Sequence, residues 1–290
     1  MRDKTIISFF LKKNNLFRAG DMKRPKLALC NFISDVNELR RFALAHGFDG
    51  VDWTFKIEDL PETPMEETRL LKTVSRLQPL DVRYHCAFDG LDPGDADPQR
   101  ARTAREAFRK ACRVVSKMNG KYMTVHLGLG RTSMEDLLWD ETVRELAELV
   151  RYARFLGIRL CLENLASGWS SRPELFEKLV RKSGAGVTLD IGHARVCRSV
   201  ESQHYAFEDF ILPHAECIHN AHVYHEERKD GHVPPENLED IVDRLELLNA
   251  LPCDWWVLEL REEEALCSTR KVVEEFFLSE RRVPSLENSG

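Results

Sequence analysis

The stretches Ile158-Arg-Leu-Cys-Leu-Glu163 and Gly186-Val-Thr-Leu-Asp190 decide the fold of this chain. Each run is short, continuous rather than alternating, and closed by a carboxylate, which is typical of a parallel strand covered on both faces. Pro173 opens the amphipathic segment between them, in the manner of a proline at the first position of a helix. The two runs and their connection therefore predict one strand–helix–strand unit of a parallel sheet.

The same unit recurs along the whole chain. Helices are predicted to begin at Pro64, Asp97, Ser133, Pro173, Pro235 and Glu264. The eight apolar runs cover residues 26–32, 50–53, 82–87, 122–127, 158–163, 186–190, 217–223 and 255–260. Eight strand–helix units in about 250 residues match the count and size of a (β/α)8 barrel. A doubly wound open sheet is the alternative, but no Gly-x-Gly-x-x-Gly follows the first run.

We therefore predict a single α/β domain, a (β/α)8 barrel over residues 25–278. Residues 1–24 are predicted to form a poorly structured leader and residues 279–290 a frayed tail. No apolar run approaches the roughly 20 residues that span a membrane. None of the eight cysteines forms a Cys-x-x-Cys pair, and most lie in apolar segments, which predicts free thiols and a cytoplasmic location.

The charge balance limits the classes of partner. With 42 Lys and Arg against 48 Asp and Glu, the net charge is −6. Binding to a phosphate backbone needs a surplus of basic residues, so nucleic acid is disfavoured. The local basic residues Arg100, Arg102 and Arg131 still leave a nucleic-acid substrate open. The charge balance therefore favours a small-molecule substrate over a nucleic acid, and we expect no membrane partner.

Polar side chains follow the predicted strands at the point where each strand ends. In a (β/α)8 barrel these ends meet at one face. Imidazole and carboxylate together suit zinc, manganese or iron, and a carboxylate such as Glu163 is costly to bury unless it is paired or metal-bound. We predict a divalent-metal site, zinc first and manganese second. The nine candidate ligands are His85, His126, Glu163, Asp190, His193, His222, Asp230, His232 and Glu259.

Three histidines compete for the seventh strand. We favour His222 because it lies at the strand end, whereas His219 precedes it by three residues on the other face and His225 follows in the loop.

In Leu-Glu163-Asn164, Asp190-Ile-Gly-His193 and His222 with Asp230-Gly-His232, the chain resembles the xylose-isomerase-like TIM-barrel superfamily. This superfamily includes endonuclease IV (AP endonuclease family 2) and sugar phosphate isomerases and epimerases. The resemblance covers about residues 26–278. One departure concerns a turn that epimerase-like members often carry after the late histidine, Pro-Gly-x-Gly. This chain instead reads His232-Val-Pro-Pro-Glu-Asn.

The resemblance implies two designs for the site. In the epimerase-like design one divalent metal is held by residues that correspond here to Glu163, Asp190, His222 and Glu259. In the endonuclease IV design two further zincs join it. Their ligands correspond to His85 and His126 with Glu163 bridging, and to His193, Asp230 and His232. The resemblance therefore leaves one to three metals per chain open.

Two enzymatic functions follow, and the count of ligands favours the first. It is hydrolysis of a phosphoester, in which metal ions lower the pKa of water and offset phosphoryl charge. The second is isomerisation or epimerisation of a sugar or sugar phosphate. There Glu163 and Glu259 exchange the proton and His193 binds a substrate hydroxyl. Trp53, Trp169 and Asn164 are candidate substrate contacts in either function. A barrel that binds a metabolite without catalysis is the third alternative.

Overall fold

The computed structural model describes residues 24–280. Eight parallel strands close into one barrel, in which each strand pairs with the next along the chain and the last pairs with the first. The closing pair sets Lys26 beside Trp255 and Leu29 beside Leu258. The strands are β1 (Lys26–Cys30), β2 (Gly50–Phe55), β3 (Asp81–Cys86), β4 (Tyr122–Val125), β5 (Arg159–Glu163), β6 (Gly186–Asp190), β7 (Ile218–Val223) and β10 (Trp255–Leu258).

This closed barrel confirms the predicted fold class. The predicted leader, residues 1–24, lies outside the described residues except for Arg24. The predicted tail lies outside them from residue 281 onward, and the last helix continues to Glu280. Within residues 24–280, no helix has the length and apolar character needed to cross a membrane.

Helices connect the strands and cover the outside of the barrel. Thr63 caps one of them with the capping box that its spacing to Glu66 predicts, and Asp97 caps the next, directly before Pro98. The α-helices are α1 (Val36–Ala45), α2 (Pro64–Ser75), α3 (Pro98–Lys117), α4 (Trp139–Phe155), α5 (Pro173–Ser183), α6 (Ile191–Val196), α7 (Arg198–Glu201), α8 (Val242–Asn249) and α9 (Glu263–Glu280).

Two predicted helix starts are wrong. The helix expected from Ser133 begins at Trp139, because the preceding residues pair with the loop after β3. The amide of Ala96 donates to Asp136 O at 2.8 Å and that of Leu138 to Gly94 O at 2.9 Å. The helix expected from Pro235 begins at Val242 after a short 3-10 turn. The residues that signal a helix start do not indicate whether a loop pairs with another loop in the folded protein.

A small hairpin follows β7, between the seventh and the last strand of the barrel. Its antiparallel strands are β8 (Glu226–Arg228) and β9 (Gly231–Val233). Their register sets Glu227 opposite His232. Asp230 therefore lies in the exposed turn of the hairpin, where Asp-Gly is a favoured turn pair.

Most of the apolar core lies between the strands and the helices, whereas the inside of the barrel is largely polar. Thr124 of β4 and Thr188 of β6 are not on neighbouring strands, yet their hydroxyls are 2.8 Å apart. Asn220 of β7 donates to both. Below this layer, the Arg83 guanidinium lies between the rings of Tyr122 and Trp255. The branched apolar layers common in such barrels are thus replaced by hydrogen-bonding groups.

Candidate metal centre

Six strand ends bring imidazoles and carboxylates to one mouth of the barrel. His85, Glu163, Asp190 and His222 lie on β3, β5, β6 and β7, while His126 and Glu259 follow β4 and β10 directly. Because all strands are parallel, these side chains converge at the carboxyl ends. They form adjoining groups, and within each group the potential ligand atoms lie within 4.8 Å of one another.

The first group consists of His85, His126 and Glu163. The Nε2 atoms of the two imidazoles face each other at 3.1 Å. Glu163 Oε2 lies 3.1 Å from His126 Nε2 and 3.6 Å from His85 Nε2. All three residues are buried, so these nitrogen and oxygen atoms point at one another with little access to water.

The central group consists of Glu163, Asp190, His222 and Glu259. His222 Nδ1 lies 2.8 Å from Glu259 Oε2, 3.3 Å from Glu163 Oε1 and 3.7 Å from Asp190 Oδ2. His222 and Asp190 are fully buried, whereas the Glu259 side chain is 15% exposed. Glu163 belongs to both this group and the first one.

The third group consists of His193, Glu227 and His232. His232 Nε2 lies 3.1 Å from Glu227 Oε2, across the hairpin. His193 connects this group to the central one, because its Nδ1 lies 3.2 Å from Asp190 Oδ2 and 3.5 Å from Glu163 Oε1. The structure does not bring the predicted ligand Asp230 into any group within the described residues; Glu227 takes its place beside His232.

The charges of the mouth depend on one another. Burial disfavours a charged His222, but the carboxylates of Glu163 and Glu259 outweigh it and raise the pKa of His222 well above its ordinary value. Burial is likewise overcome in His193 by Asp190, with the pKa raised to about 10, and in His232 by Glu259, with the pKa raised to about 9. The carboxylates thus stabilise positive charge on the neighbouring imidazoles.

Three neighbours hold the central ligands in place. Asn164 Nδ2 donates to Asp190 O at 2.8 Å, and its Oδ1 accepts from Asp190 N at 2.9 Å. Tyr224 donates from its hydroxyl to Asp190 Oδ2 at 3.0 Å, and its ring stacks on His232 at a centroid distance of 4.0 Å. Gly192 leaves room for this ring, since a Cβ there would lie 2.1 Å from it. Asn164, predicted to contact substrate, uses both amide atoms in this scaffold.

The two predicted tryptophan contacts lie in different places. Trp169 begins a short 3-10 helix in the loop after β5 and packs edge-on against Trp139, at a centroid distance of 5.1 Å. Trp53 lies on the same face of β2 as Phe55, which stacks on Tyr84 in the layer between strands and helices. Trp169 therefore lies in a loop on the side of the mouth and Trp53 lies within β2, and both pack against the apolar core.

The competing histidines lie away from the groups. His219 is at the opposite end of the barrel, with its ring 5.7 Å from that of Tyr122. His225 lies beside Arg244, whose guanidinium donates to His225 O at 2.6 Å. Two carboxylates of the mouth, Glu227 and Asp52, were not predicted from the sequence. Asp52, the third residue of β2, lies at 2% exposure and groups with His85 and His222.

The residues at the mouth fit a divalent cation. Within residues 24–280, several buried polar atoms of the mouth lack a hydrogen-bond partner, among them Asp52 Oδ1, His126 Nδ1 and His222 Nε2. Buried polar groups are rarely left unpaired without a ligand to satisfy them. Mixed imidazole and carboxylate donors are the set that zinc and related metals prefer.

The closed barrel and the ligand groups at its mouth define the class of protein. Residues 40–276 match the sequence model of the family described as xylose isomerase-like TIM barrel, and the chain belongs to this family.

Three comparisons place the chain among known proteins. An uncharacterized protein of Methanocaldococcus jannaschii is 27% identical over 165 residues, which are 56% of this chain and 70% of that protein. The structure of an L-ribulose 3-epimerase aligns with a TM-score of 0.66 at 15% identity, over 91% of this chain and 100% of that one. Endonuclease IV from Thermus thermophilus aligns with a TM-score of 0.61 at 18% identity, over 88% of this chain and 100% of that one. At these identities the two structural likenesses concern the fold.

Proposed function

We propose that this chain is a divalent-metal-dependent hydrolase of a phosphoester. The observation that supports it is the continuity of the three ligand groups, which share Glu163 or are connected through His193. A one-metal enzyme needs only the central group. The buried pair of His85 and His126 facing Glu163 lies outside that group and would suit a further zinc ion.

Each group would hold one ion, and the ions would lower the pKa of water and offset the negative charge of the phosphoryl oxygens. The protein's own residues would orient and bind. Tyr224 holds Asp190 Oδ2 by its hydroxyl proton, and Asn164 fixes the Asp190 backbone. Trp169 would border the entrance on the side of the loop after β5.

The substrate that fits this mouth is a small anion. Three divalent ions would bring the net charge of −6 to zero, so the loaded mouth would attract anions more than the sequence alone indicates. The guanidinium of Arg131 is occupied, since it forms ion pairs with Asp92 and Asp95. A sugar-containing phosphodiester therefore fits better than a polynucleotide, which needs a basic surface outside the mouth.

The test is metal content together with turnover. Purified protein loaded with zinc should contain about three ions per chain by elemental analysis and should hydrolyse bis-p-nitrophenyl phosphate. Glu259→Gln should lose this activity, whereas Asp254→Asn at the opposite end of the barrel should keep it. No turnover on this diester, on sugar phosphodiesters or on a duplex with an abasic site would contradict the proposal.

A sugar isomerase or epimerase is the second candidate, and the central group favours it. Glu163 and Glu259 both approach His222 Nδ1, at 3.3 and 2.8 Å, and could stand on two sides of a substrate carbon. One carboxylate would take the proton and the other return it. Incorporation of deuterium from heavy water into a ketose, with about one metal per chain, would support this function over hydrolysis.

A further inference from the structure

Asp52 is a buried carboxylate that neither function explains. It is the third of the six residues of β2, and its side chain is 2% exposed. Its Oδ1 has no hydrogen-bond partner within residues 24–280, and its Oδ2 lies 3.4 Å from His85 Nδ1. Burying an unpaired carboxylate is unfavourable. We therefore expect Asp52 to have a role that compensates for the free energy lost by its burial.

The two nitrogens of His85 face different groups. Nε2 is directed at His126 Nε2 and Glu163 Oε2, at 3.1 and 3.6 Å. Nδ1 faces Asp52 Oδ2 at 3.4 Å and Glu259 Oε1 at 3.8 Å. An imidazole offers one nitrogen to a metal and donates a proton from the other, which fixes the tautomer and the orientation of the ring.

We infer that Asp52 is the positioning residue of His85. It accepts the Nδ1 proton and so directs the Nε2 lone pair toward Glu163 and His126. Glu259 is the other carboxylate within 4 Å of Nδ1 among the described residues, and it is committed to the central group through His222 at 2.8 Å. The inference rests on the metal centre of the proposed function, but not on which reaction that centre performs.

The experiment measures metal binding rather than activity. Wild type, Asp52→Asn, Asp52→Ala, His85→Ala and the double variant Asp52→Ala/His85→Ala are titrated with zinc in competition with a coloured chelator. Cobalt is then bound to each, and its visible absorption spectrum is recorded. Asp254→Asn is the matched control, because it makes the same change to an aspartate at the opposite end of the barrel.

We expect Asp52→Ala to weaken zinc binding at one position by about 10- to 100-fold. Asp52→Asn should fall between Ala and wild type, since its amide oxygen still accepts the proton without the charge. Adding Asp52→Ala to His85→Ala should cause little further loss, because Asp52 acts through His85. The cobalt spectrum should change in both Asp52 variants and stay constant in the control.

The outcomes separate the two proposals. Wild-type protein that binds no metal contradicts the proposed function. Wild-type protein that binds metal, with Asp52→Asn within twofold of it in affinity and identical in its cobalt spectrum, overturns the role of Asp52. Fully additive losses in the double variant overturn it as well. Asp52→Asn alone decides the question if Asp52→Ala does not fold.

Discussion

The two ends of the barrel contain similar polar groups and treat them in opposite ways. At the amino end, Arg83 donates to Asn220 Oδ1, to His219 O and to Asp254 Oδ1, at 2.6 to 2.8 Å, between two aromatic rings. At the carboxyl end, Asp52 Oδ1, His126 Nδ1 and His222 Nε2 are buried without a hydrogen-bond partner among residues 24–280. Around Arg83 the protein supplies the hydrogen-bond partners itself, whereas the unpaired atoms of the mouth are ones to which the proposed metal ions would bind.

Two histidines of β7, His219 and His222, show the same contrast although they are only three positions apart in the sequence. Burial and the neighbouring Arg159 and Arg83 lower the pKa of His219. His222 is more deeply buried, and yet the carboxylates around it raise its pKa. Burial therefore lowers the pKa of His219 with the help of the two arginines, whereas at His222 the neighbouring carboxylates outweigh burial.

The largest effect is expected from Glu163→Gln. The change removes the carboxylate shared by the first and central groups while keeping its size, so metal affinity and turnover should fall by more than about 100-fold. Elemental analysis after dialysis measures the first and diester hydrolysis the second. Glu174→Gln, a partly buried glutamate of α5, is the control. Retention of all bound metal by Glu163→Gln would remove the distinction between the two ends.

Arg83→Met should destabilise the fold without affecting the mouth. Its loss leaves Asn220 Oδ1 and His219 O without their donor, which should cost about 3 kcal/mol in the free energy of unfolding. Denaturation in urea measures this cost, and metal content per chain should stay unchanged. A loss of metal in this variant would show that the two ends are coupled through the polar layer of Thr124, Thr188 and Asn220.

Removal of metal should lower stability through the mouth alone. An ion that binds only the folded protein adds about 2.7 kcal/mol when it is present at 100 times its dissociation constant. The unfolding temperature should therefore rise when zinc is added and fall when a chelator removes the metal. The same additions should leave the unfolding temperature of Glu163→Gln nearly constant, and an equal shift in that variant would place the stabilising ion elsewhere.

The smallest effect concerns the protons of His219 and His222 in metal-free protein. The lowered pKa of His219 means that it adds stability above the ordinary pKa of about 6.5 and loses it as the pH falls. The raised pKa of His222 means that it adds stability below that value and loses it as the pH rises through its own pKa. Titration of the ring protons by NMR should show His219 neutral and His222 charged at pH 7. His219→Gln and His222→Gln assign the signals, and titration in the reverse order would contradict the comparison.

The barrel could be predicted because each strand carries its own evidence. A continuous run such as Gly186–Asp190, bounded by helix signals, needs no partner to be recognised. The convergence of the strand ends then follows from the topology. It predicts that His85, Glu163 and His222 lie close together. Helix starts such as Trp139 were missed, since they depend on a loop that pairs with another loop.

The site was predicted less completely, for two physical reasons. The resemblance implies Asp230 as a ligand together with His232, but the hairpin register sets Glu227 opposite His232 and leaves Asp230 in the turn. The Asp230-Gly231 pair is itself a turn signal that could have indicated this. Asp52 next to Trp53 is not among the predicted residues. It is nevertheless a charged residue inside an apolar run, and like Glu163 it is costly to bury unless it is paired or metal-bound.

The third group differs from the others in its access to solvent. The side chains of His232 and Glu227 are 24% and 30% exposed, whereas those of His222 and Asp190 are sealed inside the protein. If the proposed ions bind, an ion at the hairpin would therefore exchange with solvent faster than ions held deeper in the mouth. Different preparations of the protein would then differ in how much of this outer ion they contain. The hairpin would set how quickly the protein gains or loses its full set of metal ions.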